Sequence, residues 1–432
     1  VEAGKFVKIG KHPQMPNADQ KNDLHGMLVL PGLIDGHVHL RDEGKTYKED
    51  FISGTSAAAA GGFTTVLDMP NNLPLTNSVE AVKNRLEIAK KRTLVNVGLY
   101  SEFPENLTEI SQIGRAGIIG FKLFMGNQIG GLNIDDDQAL EEGFRAAGEA
   151  GLVVAVHAED KNQIIFNEQQ FKKAKRNGVK EFLLAHTEQA EVQAMKRALK
   201  SSENSKVHLH FCHVTSKQGI ETIKELKNTG KKVTCEVTPN HLMLTSADAT
   251  RCGMMAIMAP PLRDKLHQEA LLEGVSQGVV DAIGSDHAPH TFEEKSVDSV
   301  WEVKVGTPGL ETTLPLMLSL VKKDLLSFQR FVEVFAERPA EIYGLTNKGK
   351  LESGKDADLT VIDYNQRWTI AASKFKSKAK FSLYNNWKVI GKPIKTFVNG
   401  ILVMDESEIV AKPGSGRIVQ KRLTQESAFG AN

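Results

Sequence analysis

Short apolar segments alternate with longer amphipathic segments between residues 33 and 289, and this alternation restricts the fold more than any other feature. Eight apolar, β-branched segments predict strands at 33–40, 64–69, 95–101, 117–125, 152–159, 206–214, 231–239 and 279–287. Helix-like segments lie between them, such as "SKQGIETIKELKNTG", with Ser and Gly placed as helix caps. Eight such strands predict an α/β fold, a (β/α)8 TIM barrel. An open doubly wound sheet is the alternative, but no GxGxxG motif follows the first strand.

The segments on either side of this barrel alternate as strands of a small antiparallel sheet do. "GKFVKIGK" and "LHGMLVLPG" precede the barrel, and "GKLESGKDADLTVIDYNQRWTI" and "KVIGKPIKTFVNGILVMD" follow it. We therefore predict a β-sandwich module built by both flanks: residues 1–31 form its N-terminal part, 32–345 the barrel, and 346–432 its C-terminal part and tail. The polar tail, 411–432, is predicted to be partly disordered.

Charge and cysteine content narrow the class of function. The 432 residues include 54 basic and 53 acidic side chains, a formal net charge of +1. This balance argues against a nucleic-acid or anionic membrane surface and favours chemistry on a small molecule. Three cysteines without a CxxC pair favour a reducing compartment, so we expect a cytoplasmic protein. The apolar runs are strand-sized, so no transmembrane helix is predicted.

Polar residues interrupt the apolar strands near their carboxyl ends, where barrel enzymes place their working residues. They fall on five of the eight predicted strands, which is improbable by coincidence. They are His37 and His39 on the first strand, Lys122 on the fourth, His157 on the fifth, His213 on the sixth and Asp286 on the eighth.

The pair His37 and His39 has two interpretations. Side chains at i and i+2 of a strand point to the same face, so both rings can reach one ion. Taken alone, the pair is more often two hydrogen-bonded interior histidines. Together with the other strand-end residues, four imidazoles and a carboxylate are ligands that a pair of Zn²⁺ ions binds. The full set therefore favours a metal site.

Lys122 lies between apolar residues in "GFKLFM", where a charged ammonium is costly to bury. One interpretation is that it reaches the rim or pairs with an acid. The other is that its neutral amine adds CO₂ and the resulting carbamate bridges two metals. Only about one amine in 10³ to 10⁴ is neutral at pH 7, so metal binding must draw the reaction forward.

The summed charge of this predicted metal site indicates the reaction that the site could catalyse. Two Zn²⁺ ions, a carbamate, Asp286 and a bridging hydroxide leave about one net positive charge, which suits an anionic substrate and a developing oxyanion. The zinc-bound hydroxide is the predicted nucleophile, because metals lower the pKa of bound water toward ~7. Asp286 can take the hydroxide proton and deliver it to the leaving nitrogen.

The barrel region contains the motifs "PGLIDGHVHLR", "YKEDFISGTSAAAAGGFTTVLDMPN", "GFKLFM", "VVAVHAED", "FCHVTSKQGI", "VTCEVTPNHL", "GSDHAPHTFEEK" and "GTPGLETTLPLML". Together they resemble the dihydroorotases of the amidohydrolase superfamily over roughly residues 28–345, and "GKLESGKDADLTVID" resembles the superfamily's C-terminal β-module. The chain is similar in particular to the longer, type I-like enzymes, including the dihydroorotase domain of the animal multifunctional pyrimidine-synthesis protein.

The resemblance implies roles for individual residues. It implies His37, His39, Lys122 and Asp286 around one zinc, and Lys122 as N6-carboxylysine, His157 and His213 around the other. Asp286 would be the general acid/base. Substrate would be bound by Arg41, Asn71, His290, Pro308 and Gly309; a guanidinium fork suits a carboxylate, although Arg41 and Asn71 can each also be ordinary loop residues.

Other features remain open. By the same resemblance Cys212 and Glu236 could hold a third ion, and a buried Cys beside a structural Glu ion pair is the alternative. Ala259 stands where the family commonly has a polar residue that contacts substrate, and Asn240 where a histidine is frequent. We expect weaker substrate binding from Ala259.

The resemblance implies the reversible cyclisation of N-carbamoyl-L-aspartate to L-dihydroorotate in pyrimidine (UMP) biosynthesis. A hydantoinase, dihydropyrimidinase or allantoinase activity is the alternative, as is a non-catalytic homologue that partners aspartate transcarbamoylase. We expect a homodimer that acts on a small molecule.

Overall fold

The computed structural model describes residues 1–11 and 15–421, and its strands fall into two sheets. In chain order the strands are β1 Leu28–Pro31, β2 Leu33–Val38, β3 Phe63–Asp68, β4 Asn96–Glu102, β5 Gly120–Phe124, β6 Val153–His157, β7 His208–Phe211, β8 Val233–Val237, β9 Ala282–Ile283, β10 Leu359–Thr369, β11 Lys388–Val398, β12 Ile401–Asp405 and β13 Glu408–Ile409.

The helices lie around the eight-stranded sheet formed by β2 to β9. They are α1 Phe51–Ala60, α2 Val79–Arg92, α3 Ile110–Ala116, α4 Asp137–Glu149, α5 Lys161–Lys173, α6 Val179–Ala185, α7 Glu188–Ser201, α8 Lys217–Asn228, α9 Pro239–Met243, α10 Ser246–Cys252, α11 Lys265–Ser276, α12 Phe292–Lys295, α13 Leu310–Lys322, α14 Phe328–Val332 and α15 Arg338–Ile342. Short 3₁₀ turns lie at Leu107–Glu109, Gly253–Ala256 and Ala372–Lys374, and a π-helical turn at Glu333–Glu337. Within the described residues, no helix is both long and apolar enough to span a bilayer.

Strands β2 to β9 form the predicted barrel. They pair in sequence order, and every pair is parallel. A parallel bridge between Val38 and His287 joins the last segment to the first, with the His39 N–H donating to the His287 carbonyl at 2.8 Å. The predicted α/β barrel is thus confirmed.

Helix α8 illustrates how the sequence sets these elements. The Ser216 hydroxyl accepts a hydrogen bond from the Gly219 N–H at 3.0 Å and begins the helix, as its "SKQG" sequence predicts. Ile220 and Ile223, one helical turn apart, are buried in the core cluster between the helices and the barrel. Burial of this apolar face holds the helix against the strands.

The eighth barrel strand is shorter than predicted. The sequence favours a strand over 279–287, whereas β9 covers only Ala282–Ile283. The chain leaves the ladder because the Ser285 N–H donates to the buried carboxylate of Asp35 instead, at 3.1 Å. This departure places Asp286 in a left-handed turn, with φ at 45°.

The two flanks build one five-stranded antiparallel sheet in the order β1-β10-β11-β12-β13. Strand β1 pairs with β10, so that Leu28 faces Ile362. The predicted strand in "GKFVKIGK" is wrong: this segment makes only isolated bridges of Lys5 with Glu2 and Asp356. Val7 and Ile9 after Phe6 are exposed, so the segment has no second buried apolar side chain to extend a ladder.

The described part of the polar tail is ordered by contact with the barrel. Val97 N–H donates to the Arg417 carbonyl and Val419 N–H to the Val97 carbonyl, both at 2.9 Å. Val419 packs into an interior cluster with Ile34 and Leu67. Residues 411–421 are thus ordered, and the remainder of the tail for which partial disorder was predicted, 422–432, lies outside the described residues.

Candidate active site

The structure brings the predicted strand-end residues together at the carboxyl end of the barrel. His37 lies on β2 and Lys122 on β5, while His157 is the last residue of β6. His213 and Asp286 follow β7 and β9 in left-handed backbone turns, with φ values of 34° and 45°. The strand ends therefore converge on one buried polar site, as expected for a barrel.

His37, His39 and Asp286 form the first half of this site. The Asp286 Oδ1 atom lies 3.2 Å from His39 Nε2 and 3.5 Å from His37 Nε2. One ligand atom from each of the three residues can be chosen within 4.8 Å of the others. Burial raises the pKa of Asp286, but His37, His39 and Lys122 outweigh it and lower that pKa to about 2. Asp286 is therefore an anion at neutral pH.

The two histidines differ in their surroundings. Burial lowers the pKa of His39 to about 3, so its ring is neutral, as a metal ligand must be. Burial also opposes protonation of His37, but Glu236 and Asp286 outweigh it and raise the His37 pKa to about 10. The carboxylates around His37 thus favour a positive charge at this place, which a metal ion would supply.

Lys122, His157 and His213 form the second half. His157 Nδ1 lies 3.1 Å from His213 Nε2, so both rings direct a nitrogen toward the same point. The other ring nitrogen of His213 is buried without a hydrogen-bond partner. The Lys122 Nζ atom contacts Cys212 Sγ at 3.1 Å, and the Lys122 side chain is fully buried. Among the described residues, no carboxylate forms an ion pair with Lys122.

Two carboxylates hydrogen-bond candidate ligand histidines, and the sequence analysis did not predict this role for either of them. His157 Nε2 donates to Glu159 at 2.8 Å, and the other Glu159 oxygen accepts from His186 Nδ1 at 2.9 Å. Glu236 Oε1 likewise lies 2.5 Å from His37 Nδ1. A carboxylate on the far nitrogen fixes the tautomer and orientation of a ligating histidine. In the sequence, the position of Glu159 two residues after His157 in "VHAED" could have indicated this contact.

The predicted substrate residues lie around the mouth of the site. Asn71 Oδ1 is 2.7 Å from His39 Nδ1, so this side chain also orients a candidate ligand. Gly309 N–H donates to His287 Nδ1 at 3.1 Å, which places Pro308 and Gly309 beside Asp286. Ala259, which follows a buried segment, has no polar side chain to contribute.

Arg41 and His290 face each other at this mouth. His290 Nε2 lies 2.9 Å from the Val305 carbonyl and therefore carries a proton, while its Nδ1 accepts from Lys48 at 3.0 Å. The 3.4 Å approach of Arg41 to that same Nε2 joins two donors and is not a hydrogen bond. Lys48, which pairs with Glu294 at 2.8 Å, lies in the motif that begins "YKED", but the sequence analysis gave it no role at the site.

Cys212 and Glu236 lie together with His37, and one ligand atom from each falls within 4.8 Å of the others. Both oxygens of Glu236 already have partners, His37 and His210. Burial raises the pKa of Glu236, but these two histidines outweigh it and hold that pKa well below its usual range. The geometry is thus compatible with either an additional ion or a support for His37.

The donor set fits metal ions. The first half supplies two imidazoles and a carboxylate, and in the second half His157 and His213 bring two ring nitrogens together, which are donors that Zn²⁺ prefers. A model of the amidohydrolase family matches residues 28–403. The chain therefore belongs to the amidohydrolase family, whose members are generally metal-dependent.

Similar sequences and structures of known proteins narrow the class of enzyme. The chain is 38% identical to the dihydroorotase of Pyrococcus horikoshii over 404 residues, which cover 93% of this chain and 86% of that enzyme. It is 34% identical to the dihydroorotase of Methanosarcina acetivorans over 429 residues, or 97% and 91% of the two chains. The L-hydantoinase (dihydropyrimidinase) structure from Arthrobacter aurescens superposes with a TM-score of 0.94 at 34% identity, covering 98% of this chain and 95% of that one. The protein is an enzyme of the cyclic amidohydrolase class.

Proposed function

We propose that this enzyme is a dihydroorotase, which reversibly cyclises N-carbamoyl-L-aspartate to L-dihydroorotate in pyrimidine biosynthesis. The observation that carries the proposal is the state of Arg41. Its side chain is buried, its Nε has no hydrogen-bond partner, and no carboxylate of the described residues forms an ion pair with it. A buried guanidinium without an acid calls for an anionic partner.

A ring substrate that carries a carboxylate meets this requirement. The guanidinium fork can hold a carboxylate through two parallel hydrogen bonds. Asn71 and His290, with Pro308 and Gly309, would complete the binding surface. Lys48 beside His290 adds a second positive charge at the mouth, partly offset by Glu294. Unsubstituted hydantoin or dihydrouracil would leave Arg41 without its partner.

We propose two zinc ions as the resident metals. His37, His39, Asp286 and Lys122 would hold one, and Lys122, His157 and His213 the other, with Lys122 as N6-carboxylysine. When bound, such a metal pair supplies a nucleophilic hydroxide near neutral pH and polarises a carbonyl. A third ion at Cys212, Glu236 and His37 is a competing use of the same residues, which metal stoichiometry decides.

Asp286 is the proposed general acid/base. Its Oδ1 faces both histidines of the first half, and its low pKa keeps it able to accept a proton at neutral pH. In ring opening it takes a proton from the nucleophile and delivers it to the leaving nitrogen. In ring closure the same carboxylate receives the proton from the attacking nitrogen.

A hydantoinase activity is the second candidate, favoured by the close superposition on the L-hydantoinase structure. An assay of dihydroorotate, dihydrouracil, hydantoin and allantoin on the wild type and Arg41→Gln separates the two. We expect dihydroorotate to be preferred, and Arg41→Gln to lower kcat/KM for it by roughly 10²-fold, mainly through KM. Arg41→Gln should leave turnover of the uncharged rings within a few fold.

Equal loss on all four compounds would contradict the carboxylate role. Preferred turnover of hydantoin would replace the proposal with the second candidate. No turnover at all, with empty metal sites in freshly purified protein, would favour a non-catalytic homologue that partners aspartate transcarbamoylase. We further propose a cytoplasmic homodimer, which sedimentation and cell fractionation would test.

A further inference from the structure

A continuous row of hydrogen-bonded side chains runs down the inside of the barrel from the first half of the site. Glu236 Oε1 lies 2.5 Å from His37 Nδ1, and Glu236 Oε2 lies 3.2 Å from His210 Nε2. His210 Nδ1 lies 2.9 Å from the Thr234 hydroxyl, which lies 2.8 Å from His208 Nε2. We call these five residues the interior column.

The column lies where apolar layers usually fill a barrel. His210 is fully buried, Glu236 is 1% exposed, and Thr234 and His208 are each 7% exposed. A buried polar group costs free energy unless every donor and acceptor is paired. Four neighbouring polar side chains in this place therefore indicate a function beyond filling the core.

One arrangement of protons satisfies the whole column. His208 Nε2 donates to the Thr234 oxygen, the Thr234 hydroxyl donates to His210 Nδ1, and His210 Nε2 donates to Glu236. His37 Nδ1 then donates to the other Glu236 oxygen. This arrangement leaves the lone pair of His37 Nε2 directed toward Asp286, 3.5 Å away, where the metal of the first half would bind.

We infer that His210 is a positioning residue for the metal centre. It holds the second oxygen of Glu236, so that the carboxylate stays in the plane needed to orient His37. Without this donor, Glu236 has an oxygen free to turn toward Cys212, the third member of the neighbouring group of ligand atoms. His210 thereby keeps Glu236 bonded to His37, so that Glu236 orients this proposed metal ligand and does not bind an ion itself. The inference rests on the proposed function only in requiring that the site binds metal.

The test compares three substitutions in full-length enzyme. His210→Phe removes the donor to Glu236 and keeps a flat aromatic ring, although a larger one, at this position. His210→Gln is the matched control, because its amide can still donate to Glu236 and accept from Thr234. Thr234→Val removes the hydroxyl that sets the His210 tautomer but leaves His210 in place.

Zinc affinity is measured by competition with a chromophoric chelator, and zinc stoichiometry by mass spectrometry of the loaded protein. We expect His210→Phe to weaken the tightest zinc by about 10- to 100-fold, as loss of supporting contacts typically does. Thr234→Val should show a smaller loss, and His210→Gln should stay within a few fold of the wild type. Thermal unfolding of the zinc-free proteins shows which variants still fold.

A folded His210→Phe with unchanged zinc affinity would overturn the inference. So would a wild type that binds a third zinc which Glu236→Gln removes, since Glu236 would then be a ligand. If His210→Phe does not fold, Thr234→Val with wild-type affinity overturns the inference on its own. A wild type that binds no zinc contradicts the proposed function instead, before any variant is compared.

Discussion

The two halves of the candidate site are built from similar residues but differ in charge. In the first half, Asp286 Oδ1 lies within 3.5 Å of both His37 and His39. In the second half, His157 and His213 face each other at 3.1 Å, and Lys122 donates to a thiol and forms no ion pair with any described carboxylate. The first half has an anionic ligand, Asp286, as an unmodified side chain, whereas the second half gains one only if Lys122 is carboxylated.

This difference shows what a carboxylated Lys122 would do. An unmodified ammonium would repel a divalent ion, while a carbamate would place an anion between the two halves. The first half is therefore expected to bind metal as translated, and the second half only after the lysine reacts with CO₂. The following predictions test this asymmetry.

The largest effect is expected from Asp286→Asn, because this residue is both a proposed ligand and the proposed acid/base. We expect kcat to fall on the order of 10⁴-fold. Metal content measured in the same preparations separates the two roles. A variant that keeps both metals and most of its activity would contradict the assignment of Asp286 as acid/base.

Lys122→Ala tests the origin of the second half's negative charge. We expect the second metal to be lost and kcat to fall by roughly 10³-fold, since several kcal/mol of charge stabilisation disappear. A short carboxylic acid added to the buffer should restore part of both, whereas a short amine should not. Isotopically labelled bicarbonate should give the wild type a carbamate resonance that Lys122→Ala lacks; its absence from active wild type would contradict the carbamate.

Glu159→Gln tests the support of the second half alone. Glu159 accepts from His157 at 2.8 Å, and its substitution should weaken the second metal by about 10- to 100-fold. The tighter metal of the first half should be unaffected. Metal affinity is measured by competition with a chelator. An equal loss of affinity for both metals would show that the two halves are not independent.

At Glu311, outside both halves, we expect an effect on stability and none on metal binding. Burial raises its pKa from 4.5 to about 7, even though the Lys376 and Ser377 N–H groups donate to it. A raised folded-state pKa stabilises the protein below about pH 4.5, and this stability is lost as pH rises through about 7.

Urea unfolding of the wild type and Glu311→Gln between pH 5 and 8 measures this contribution. The wild type should lose about 3 kcal/mol of unfolding free energy relative to the variant across that range. The difference should be the same with and without chelator, because Glu311 lies outside the metal site. If the unfolding free energies of the wild type and the variant changed equally with pH, Glu311 would not titrate between pH 5 and 8.

The sequence predicted the barrel well because its strands are continuous apolar runs that recur with helices between them. It also predicted which strand ends approach one another, since parallel strands place their carboxyl ends on one side. It did not predict the short β9, because the hydrogen bond from Ser285 to Asp35 joins residues 250 positions apart. The interior column was also missed, because the sequence analysis did not single out His210 and considered Glu236 only as a ligand of a third ion or as part of a structural ion pair.

Three residues at the site, Arg41, His213 and Asp286, have left-handed backbones, with φ values of 62°, 34° and 45°. Such a conformation costs a non-glycine residue roughly 1 kcal/mol or more. A programme to engineer heat tolerance by replacing every such position with glycine would include these three residues and would remove their proposed chemistry with them. Gains in heat tolerance should therefore be sought in the flanking antiparallel sheet, which contributes none of the proposed ligands.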